Sequence, residues 1–241
     1  QARLGVHFHP TFSTVFSLGH TAGFHALRSA RELLKSGIHA CVVVAADSLL
    51  SSHTLSWLDS QFRLKTEANP DGIIPGEAAA AVIVQKNQNF GPGAEVVGLG
   101  FATEDAHILS REPLLGLGLT DASRQALTEA GLGLHQIDCR ISDVTGESYG
   151  FKEIPLVSGR LTRSRRTKAQ PLWHWAEAIG DIGAAAGLFQ LAAAEDALRR
   201  DYAGIETIIC WTSSVEGGRA SAVLRRSASD SGTMKTDRTG E

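Results

Sequence analysis

The sequence predicts an α/β protein built from two similar halves, because one series of elements occurs twice along the chain. Each copy contains a glycine-led helix, an apolar strand, a turn and a second strand. The copies read GHTAGFHALRSARELLKSG, HACVVVAADS and GEAAAAVIVQK, then GDIGAAAGLFQLAAAEDALRRD, ETIICWTSS and GGRASAVLRR. His20 stands at the start of the first helix and Asp181 at the start of the second. If the halves are related by a pseudo-two-fold axis, both helix N-termini point into one site.

The first half is predicted to occupy residues 1–90. The apolar positions of its helix share one face, and a glycine suited to a C-cap follows them: Leu27, Ala30, Leu34 and Gly37. Residues 41–46 form an uninterrupted apolar run, which is typical of a strand covered on both faces. The turn sequence NPDGIIPG, residues 69–76, leads into a second strand predicted at 78–84.

The second half is predicted at residues 91–226, after a polar, Gly/Pro-rich boundary at 87–94. Strands are predicted at 95–100 and 137–142, with a helix at 120–130 between them. A loop-rich stretch follows, and then a second long helix with the apolar stripe Leu188, Leu191, Ala194 and Leu198. Residues 227–241 are polar and nearly free of apolar side chains, so we expect a disordered tail.

The two halves are unequal in length before their glycine-led helices. The second has a strand–helix–strand unit and a linker, residues 95–175, where the first has only residues 1–18. Roughly 100 residues of ordinary strand and helix length are therefore missing from the first half. A parallel sheet without its central strands exposes unpaired edges. We expect the missing part to belong to the native protein or to come from a partner chain.

Composition excludes several classes of function. The charged fraction is 20% and the formal net charge is −3, which gives no electrostatic reason to expect nucleic acid or an acidic membrane surface as a partner. No apolar stretch approaches the roughly 20 residues of a membrane span. The cysteines, Cys41, Cys139 and Cys210, lack metal-ligand spacing and are typical of a reducing compartment. No cofactor is expected.

The duplicated pattern resembles the thiolase fold, and within it the β-ketoacyl-acyl-carrier-protein synthases. The most specific matching segments are AIGDIGAAAG and SVEGGRASAVL, and the resemblance covers residues 1–226. It implies βαβαβαββ halves in α-β-α-β-α layers, the first half being incomplete at its N-terminus. It also implies a site with a nucleophilic cysteine at the first helix, two histidines from the second half and a Gly-Gly turn.

Every reactive position departs from that family pattern. The cysteine position falls on His20, the two histidine positions fall on Asp143 and Asp181, and Glu216 stands where an aromatic residue is expected. Histidine does not hold a stable acyl thioester, and an ionised aspartate accepts hydrogen bonds instead of donating them to an oxyanion. Nucleophile and oxyanion stabilisation are both removed, so Claisen condensation is not expected.

The replacements allow two interpretations of the site. If His20, Asp143 and Asp181 converge, with Glu147 and Glu177 nearby, they could bind a divalent metal or form an acid–base pair for hydrolysis. The structural alternative is that Asp181 caps its helix, a contribution of about 1 kcal/mol, and forms an ion pair with the histidine. We expect the structural role, with no metal site.

A narrower resemblance involves thiolase-like proteins encoded beside type VI secretion genes in Gram-negative bacteria. It is carried by five segments: FHPTFSTVFSLGHTAGFHALRSA, AADSLLSSHTLSWLDSQFRLKT, IIPGEAAAAV, RISDVTGESYGFKE and LWHWAEAIGDIGAAAG. Such proteins receive the name 3-oxoacyl-acyl-carrier-protein synthase through their fold alone. The resemblance implies a cytoplasmic adaptor, a pseudoenzyme and homodimer that handles a secreted effector or spike component.

Two alternatives remain open. In the first, the chain is a subunit similar to a chain length factor, which lacks the cysteine and pairs with an active ketosynthase and its acyl carrier protein. It can also be an acyl-thioester hydrolase or acyltransferase that uses His20 with the nearby carboxylates.

Overall fold

The computed structural model describes residues 8–86, 93–165 and 168–227, whose strands form two separate sheets. Most of the predicted boundary at 87–94 and of the predicted tail at 227–241 lies outside the described residues. The division of the chain at residue 90 therefore stays a prediction.

The first half contains two helices and two strands: α1 (Ala22–Lys35), β1 (Ala40–Ser48), α2 (Ser52–Ser60) and β2 (Glu77–Gln85). Strands β1 and β2 pair antiparallel along their whole length, with Cys41 opposite Val84. The predicted strands lie within these bounds.

The second half contains the remaining elements: β3 (Ala94–Thr103), α3 (Leu117–Ala130), β4 (Cys139–Ser142), α4 (Ser148–Leu161), β5 (Leu172–Trp173), α5 (Ala176–Ile179), α6 (Ala186–Arg199), β6 (Thr207–Ser213) and β7 (Gly218–Arg226). Its five strands have the order β3-β7-β6-β4-β5. Strand β4 runs parallel to both of its neighbours, whereas β7 runs antiparallel to β3 and β6.

Helix α4 corrects the prediction that the stretch before the second long helix is rich in loops. The sequence hides this helix because Pro155 lies inside it and two glycines flank that proline. Its inward face nevertheless carries the buried side chains Ile154, Val157 and Leu161. Burial of that face outweighs the poor intrinsic helix propensity.

Helices α1 and α6 form a layer between the two sheets. The predicted stripe of α6 lies in this core, with Leu188 and Leu198 fully buried. Helices α3 and α4 border a second core on the opposite face of the five-stranded sheet, built around Trp211, Ile209 and Val223. Within the described residues, no helix is long and apolar enough to cross a bilayer.

The outer face of the β1–β2 sheet is open in the described part of the chain. Val42, Val44 and Ile83 on this face are 52%, 64% and 71% exposed. The corresponding strands of the second half, β6 and β7, are buried along most of their length. Within the described residues, no helical layer covers this face of the first half as α3 and α4 cover the second.

Candidate functional site

The two central helices begin in the same way, and this defines which positions are equivalent. A short 3-10 turn precedes each of them, Gly19–Thr21 before α1 and Gly183–Ala185 before α6. Both leading glycines have φ +55°, a left-handed conformation that favours glycine. Gly19 is thus the counterpart of Gly183, and treating His20 and Asp181 as counterparts was wrong. The dipeptides Gly19-His20 and Gly180-Asp181 look equivalent in the sequence. His20 lies within its turn, however, whereas Asp181 lies before the turn that begins at Gly183.

Asp181 is held in place by the turn that precedes β2. Its backbone N–H donates to the carbonyl oxygen of Ile74 at 2.7 Å, and its carbonyl oxygen accepts from the N–H of Gly76 at 2.8 Å. Its carboxylate oxygen Oδ1 accepts from the N–H of Gly183, the first residue of the turn before α6, at 2.9 Å. The first half therefore positions a side chain of the second half.

His20 and Asp181 form a buried ion pair across the two halves, with 2.7 Å between Nε2 and Oδ1. Burial lowers the pKa of His20, but the charge and hydrogen bond of Asp181, together with the charge of Asp143, raise it to about 9. Burial in turn raises the pKa of Asp181, yet the charge and hydrogen bond of His20 hold it below its usual value. At neutral pH the pair is an imidazolium and a carboxylate.

Asp143 lies close to this pair but is not bonded to it. Its Oδ2 accepts a hydrogen bond from the backbone N–H of Ser213 at 2.8 Å. Burial raises the pKa of Asp143 to about 6, although the charge of His20 and the N–H of Ser213 act in the opposite direction. Among the described residues, no cation lies within ion-pair distance of this carboxylate.

Two buried arginine–glutamate pairs complete the site, and the sequence analysis missed both arginines. Arg63 binds Glu147 through two hydrogen bonds of 2.8 Å, from Nε and from Nη2. Arg219 donates from Nε to Glu153 at 2.8 Å and from Nη2 to the hydroxyl of Tyr149 at 2.7 Å. The partners lie 84 and 66 residues apart, so no local pattern could reveal the pairs.

These groups surround one cavity of about 60 Å³, lined among others by His20, Arg63, Asp143, Glu147, Asp181 and Arg219. The structure thus brings His20, Asp143, Asp181 and Glu147 together. The other two candidate carboxylates, Glu177 and Glu216, do not point into this cavity. Glu177 is exposed on α5, and Glu216 is exposed in the turn between β6 and β7; neither lines the cavity.

The metal-binding alternative has no support in the part of the chain that the structure describes, where no group of three or more His, Cys, Asp or Glu side chains could hold a metal ion. The ion pair of the structural alternative is present, but Asp181 is not the N-cap: Ile182 precedes the turn and Ala185 precedes α6, and Asp181 accepts the N–H of Gly183 from one residue further out.

Chemically, the site presents a charged donor in place of a nucleophile. A protonated imidazole has no lone pair with which to attack a thioester or accept a proton. Among the described residues, Asp143 is the one acidic side chain lining this cavity that has no cationic partner, so it is the candidate proton acceptor.

No family model matches the sequence. A putative mitochondrial 3-oxoacyl-[acyl-carrier-protein] synthase of Schizosaccharomyces pombe is 29% identical over 191 residues, which make up 70% of this chain and 44% of that protein. The chain therefore matches less than half the length of this curated relative.

Two solved structures share the architecture. A ketosynthase in complex with its chain length factor from Xenorhabdus doucetiae is 18% identical, with a TM-score of 0.74 over 88% of this chain and 59% of that one. A type II polyketide synthase ketosynthase in complex with its acyl-carrier protein is 15% identical, with a TM-score of 0.75 over 88% and 62%. The chain has the ketosynthase fold. This confirms the predicted thiolase-like fold.

In this ketosynthase fold, the position at which the resemblance implies a nucleophilic cysteine is occupied by His20. The His20 side chain is hydrogen-bonded to Asp181, and Asp181 stands at one of the two positions where the resemblance implies a histidine. The elements of both halves converge here, and the two positions that the resemblance marks as reactive form an ion pair.

Proposed function

We propose that this ketosynthase-fold protein is catalytically degenerate and acts by binding another protein. The observation that carries the proposal is the 2.7 Å ion pair between His20 and Asp181 at the start of the central helices. The pair satisfies both side chains and stabilises the contact between the halves, but it leaves no nucleophile at the helix start. A scaffold of this kind is suited to pairing and recognition.

The first test asks whether the protein can carry an acyl group. We expect the intact mass of the wild-type protein to stay unchanged after incubation with a short-chain acyl-CoA, because a protonated His20 does not attack a thioester. An active ketosynthase treated in parallel is the positive control. An acyl adduct on the wild type that disappears in His20→Gln would overturn the proposal.

The hydrolase alternative has its own test. With the pKa of His20 near 9, the imidazole is protonated at pH 7.5 and does not act as a base. We therefore expect acyl-thioester turnover by the wild type and by His20→Ala to be equal, with the exposed-site variant Glu177→Gln as the matched control. A His20-dependent rate that rises as the pH approaches 9 would instead support the hydrolase.

The partner is the second part of the proposal. Structural relatives of this chain occur in complexes with a chain length factor and with an acyl-carrier protein, which supports a ketosynthase-type partner. The sequence resemblance to type VI secretion proteins supports the adaptor version, in which a cytoplasmic protein handles a secretion effector. Both versions use the scaffold for binding.

Affinity capture of the tagged protein from its native host separates the two versions. Recovery of a ketosynthase or an acyl carrier protein, absent from a tag-only control, is expected for a chain-length-factor-like subunit. Recovery of a secretion component is expected for the adaptor, and light scattering distinguishes a homodimer from a heterodimer. A monomer that captures neither class would contradict the proposed function.

A further inference from the structure

A large groove, here called the β1 groove, runs along the unpaired edge of β1. Strand β1 pairs with β2 along one edge, and within the described residues no strand pairs with its other edge. The groove measures about 620 Å³ and is lined by residues between Phe8 and Phe16, by one face of α1 and by β1 from Ala40 to Ala46. A free strand edge presents backbone N–H and C=O groups that a further strand can pair with.

The second half shows what occupies the corresponding place there. Strand β6 is the counterpart of β1, since each follows the central helix of its half and pairs antiparallel with the next strand. The other edge of β6 pairs with β4, which runs parallel to it, and β5 pairs with the far edge of β4. A single strand, Cys139–Ser142, thus lies between β6 and β5.

The counterpart of β5 in the first half is Phe8–His9. Leu172 of β5 lies eleven residues before Gly183, which begins the turn before α6. Phe8 likewise lies eleven residues before Gly19, which begins the turn before α1. Phe8 and His9 line the β1 groove together with β1. The groove therefore lies where the second half has β4, and its matching occupant is one strand that runs parallel to β1.

The lining of the groove sets the chemistry of that strand. None of the lining residues is Asp, Glu, Lys or Arg, and most are Ala, Val, Phe, Leu or Ile. An ionised side chain placed there would lose its hydration without gaining a counter-charge. The strand is therefore uncharged where it lies in the groove, with the β-branched or small side chains that suit a pleated, half-buried surface.

The two ends of this chain do not match that description. Residues 1–7 lead directly into Phe8, and a connection between parallel strands needs about a dozen residues or more. Residues 228–241 carry five charged side chains: Asp230, Lys235, Asp237, Arg238 and Glu241. Neither segment has both the length and the composition that the strand requires.

We propose that the β1 groove binds one uncharged β-strand of a partner protein, which runs parallel to β1 and pairs with its free edge. The inference rests on the proposed function, because it states how the bound protein is recognised. In this mode of recognition, main-chain hydrogen bonds supply the affinity and the walls of the groove select the side chains.

A short synthetic strand tests the proposal on the wild-type protein. The probe is a fluorescein-labelled octapeptide of alternating valine and threonine with a lysine at each end. Fluorescence anisotropy should show saturable binding. The same peptide with a central proline should bind at least about tenfold more weakly, because proline cannot donate to the strand ladder. No binding of the first peptide, or equal binding of both, would overturn the proposal.

The cysteines report where the peptide binds. Cys41 lines the β1 groove and is half-buried, whereas Cys139 and Cys210 are fully buried. Peptide at ten times its Kd should slow alkylation of Cys41 by iodoacetamide about tenfold, because only the free protein reacts. An unchanged rate while the peptide is bound would place the peptide elsewhere and overturn the proposal.

A charge in the groove should block binding. Ser29 lies on the face of α1 that lines the groove, so Ser29→Glu should weaken peptide binding at least about tenfold. Lys35→Gln changes the net charge equally on the same helix but outside the groove, and it should bind like the wild type. Cys139 and Cys210 stay unreactive if each variant is folded. Equal binding by folded Ser29→Glu and the wild type would contradict the proposal.

The natural occupant is tested by affinity capture from the host. Loss of the captured partner in Ser29→Glu, but not in Lys35→Gln, is the expected result. If Ser29→Glu captures the partner as well as the wild type does, this inference fails and the proposed function stands. If the wild type captures no protein, the proposed function fails and the peptide results alone decide on the groove. A wild-type dimer that the peptide dissociates would mean that a second copy occupies the groove, against the proposal.

Discussion

Replacing Arg219 by methionine is expected to lower the free energy of unfolding by about 3–5 kcal/mol. Arg219 is 1% exposed and donates to Glu153, to Tyr149 and to the carbonyl oxygens of Ser214 and Gly218. Removing the guanidinium leaves Glu153 as an unpaired buried carboxylate, and the loss of that pairing dominates the effect. Urea denaturation of both proteins at pH 7.5 measures the difference.

A double variant separates charge burial from packing. If the unpaired carboxylate dominates, Arg219→Met combined with Glu153→Leu should be more stable than Arg219→Met alone, because no buried charge remains. Arg124→Met is the matched control, since Arg124 forms an exposed pair with Asp121 that contributes at most about 1 kcal/mol. A loss for Arg219→Met no larger than that of the control would contradict the assigned role of the buried pair.

The fold was predictable from sequence where local pattern and tertiary context agree. The stripe of α6, including Leu188 and Leu198, and the apolar run of β1 both appear at the predicted places. Helix α4 was not predictable in this way, because Pro155 weakens the local helix signal while burial of Val157 and its neighbours outweighs that signal. Periodicity identifies elements whose own sequence favours them, and it misses those that depend on the sheet they pack against.

The site was predictable in part, and for a similar reason. His20, Asp143 and Asp181 could be placed together through the family resemblance. Arg63 and Arg219 could not, because each meets its glutamate only after the chain has folded over 84 or 66 residues. The sequence pattern also suggested Gly180, and not Gly183, as the glycine that leads α6, because sequence alone does not show which glycine adopts φ +55° before a helix. Long-range charge pairing and the conformation of one glycine therefore account for what the sequence did not predict.

The stability contributed by the ion pair at the helix starts is expected to depend on pH. The pKa of His20 rises from its ordinary value of 6.5 to about 9 in the folded protein. A group whose pKa is raised by folding contributes stability that is fully present below pH 6.5 and is lost as the pH rises through 9. The stability advantage of the wild type over His20→Gln should therefore shrink by about 3 kcal/mol between pH 6.5 and pH 10.

The pKa of Asp143 lies near the lower end of this pH range. The comparison of the wild type with His20→Gln therefore needs a background in which residue 143 does not titrate. The pKa of Asp143 is raised to about 6, which means that its own contribution is lost as the pH rises from about 4 through 6. Making the His20→Gln comparison in Asp143→Asn removes that contribution. Denaturant midpoints measured at several pH values give the two profiles, and parallel profiles would show that folding does not raise the pKa of His20.

Asp181→Asn provides the sharper test, because it should reverse the sign of the shift. Burial alone lowers the pKa of His20, and the charge of Asp181 is the largest influence that raises it. With asparagine in its place, the imidazole keeps its burial and a neutral hydrogen-bond partner but loses the counter-charge. NMR titration of the His20 ring should then move its midpoint from about pH 9 to well below that value, and the folded protein should become less stable at acidic pH. An unchanged midpoint would mean that Asp181 does not hold the proton on His20, and the ion pair would no longer explain why this helix start lacks a nucleophile.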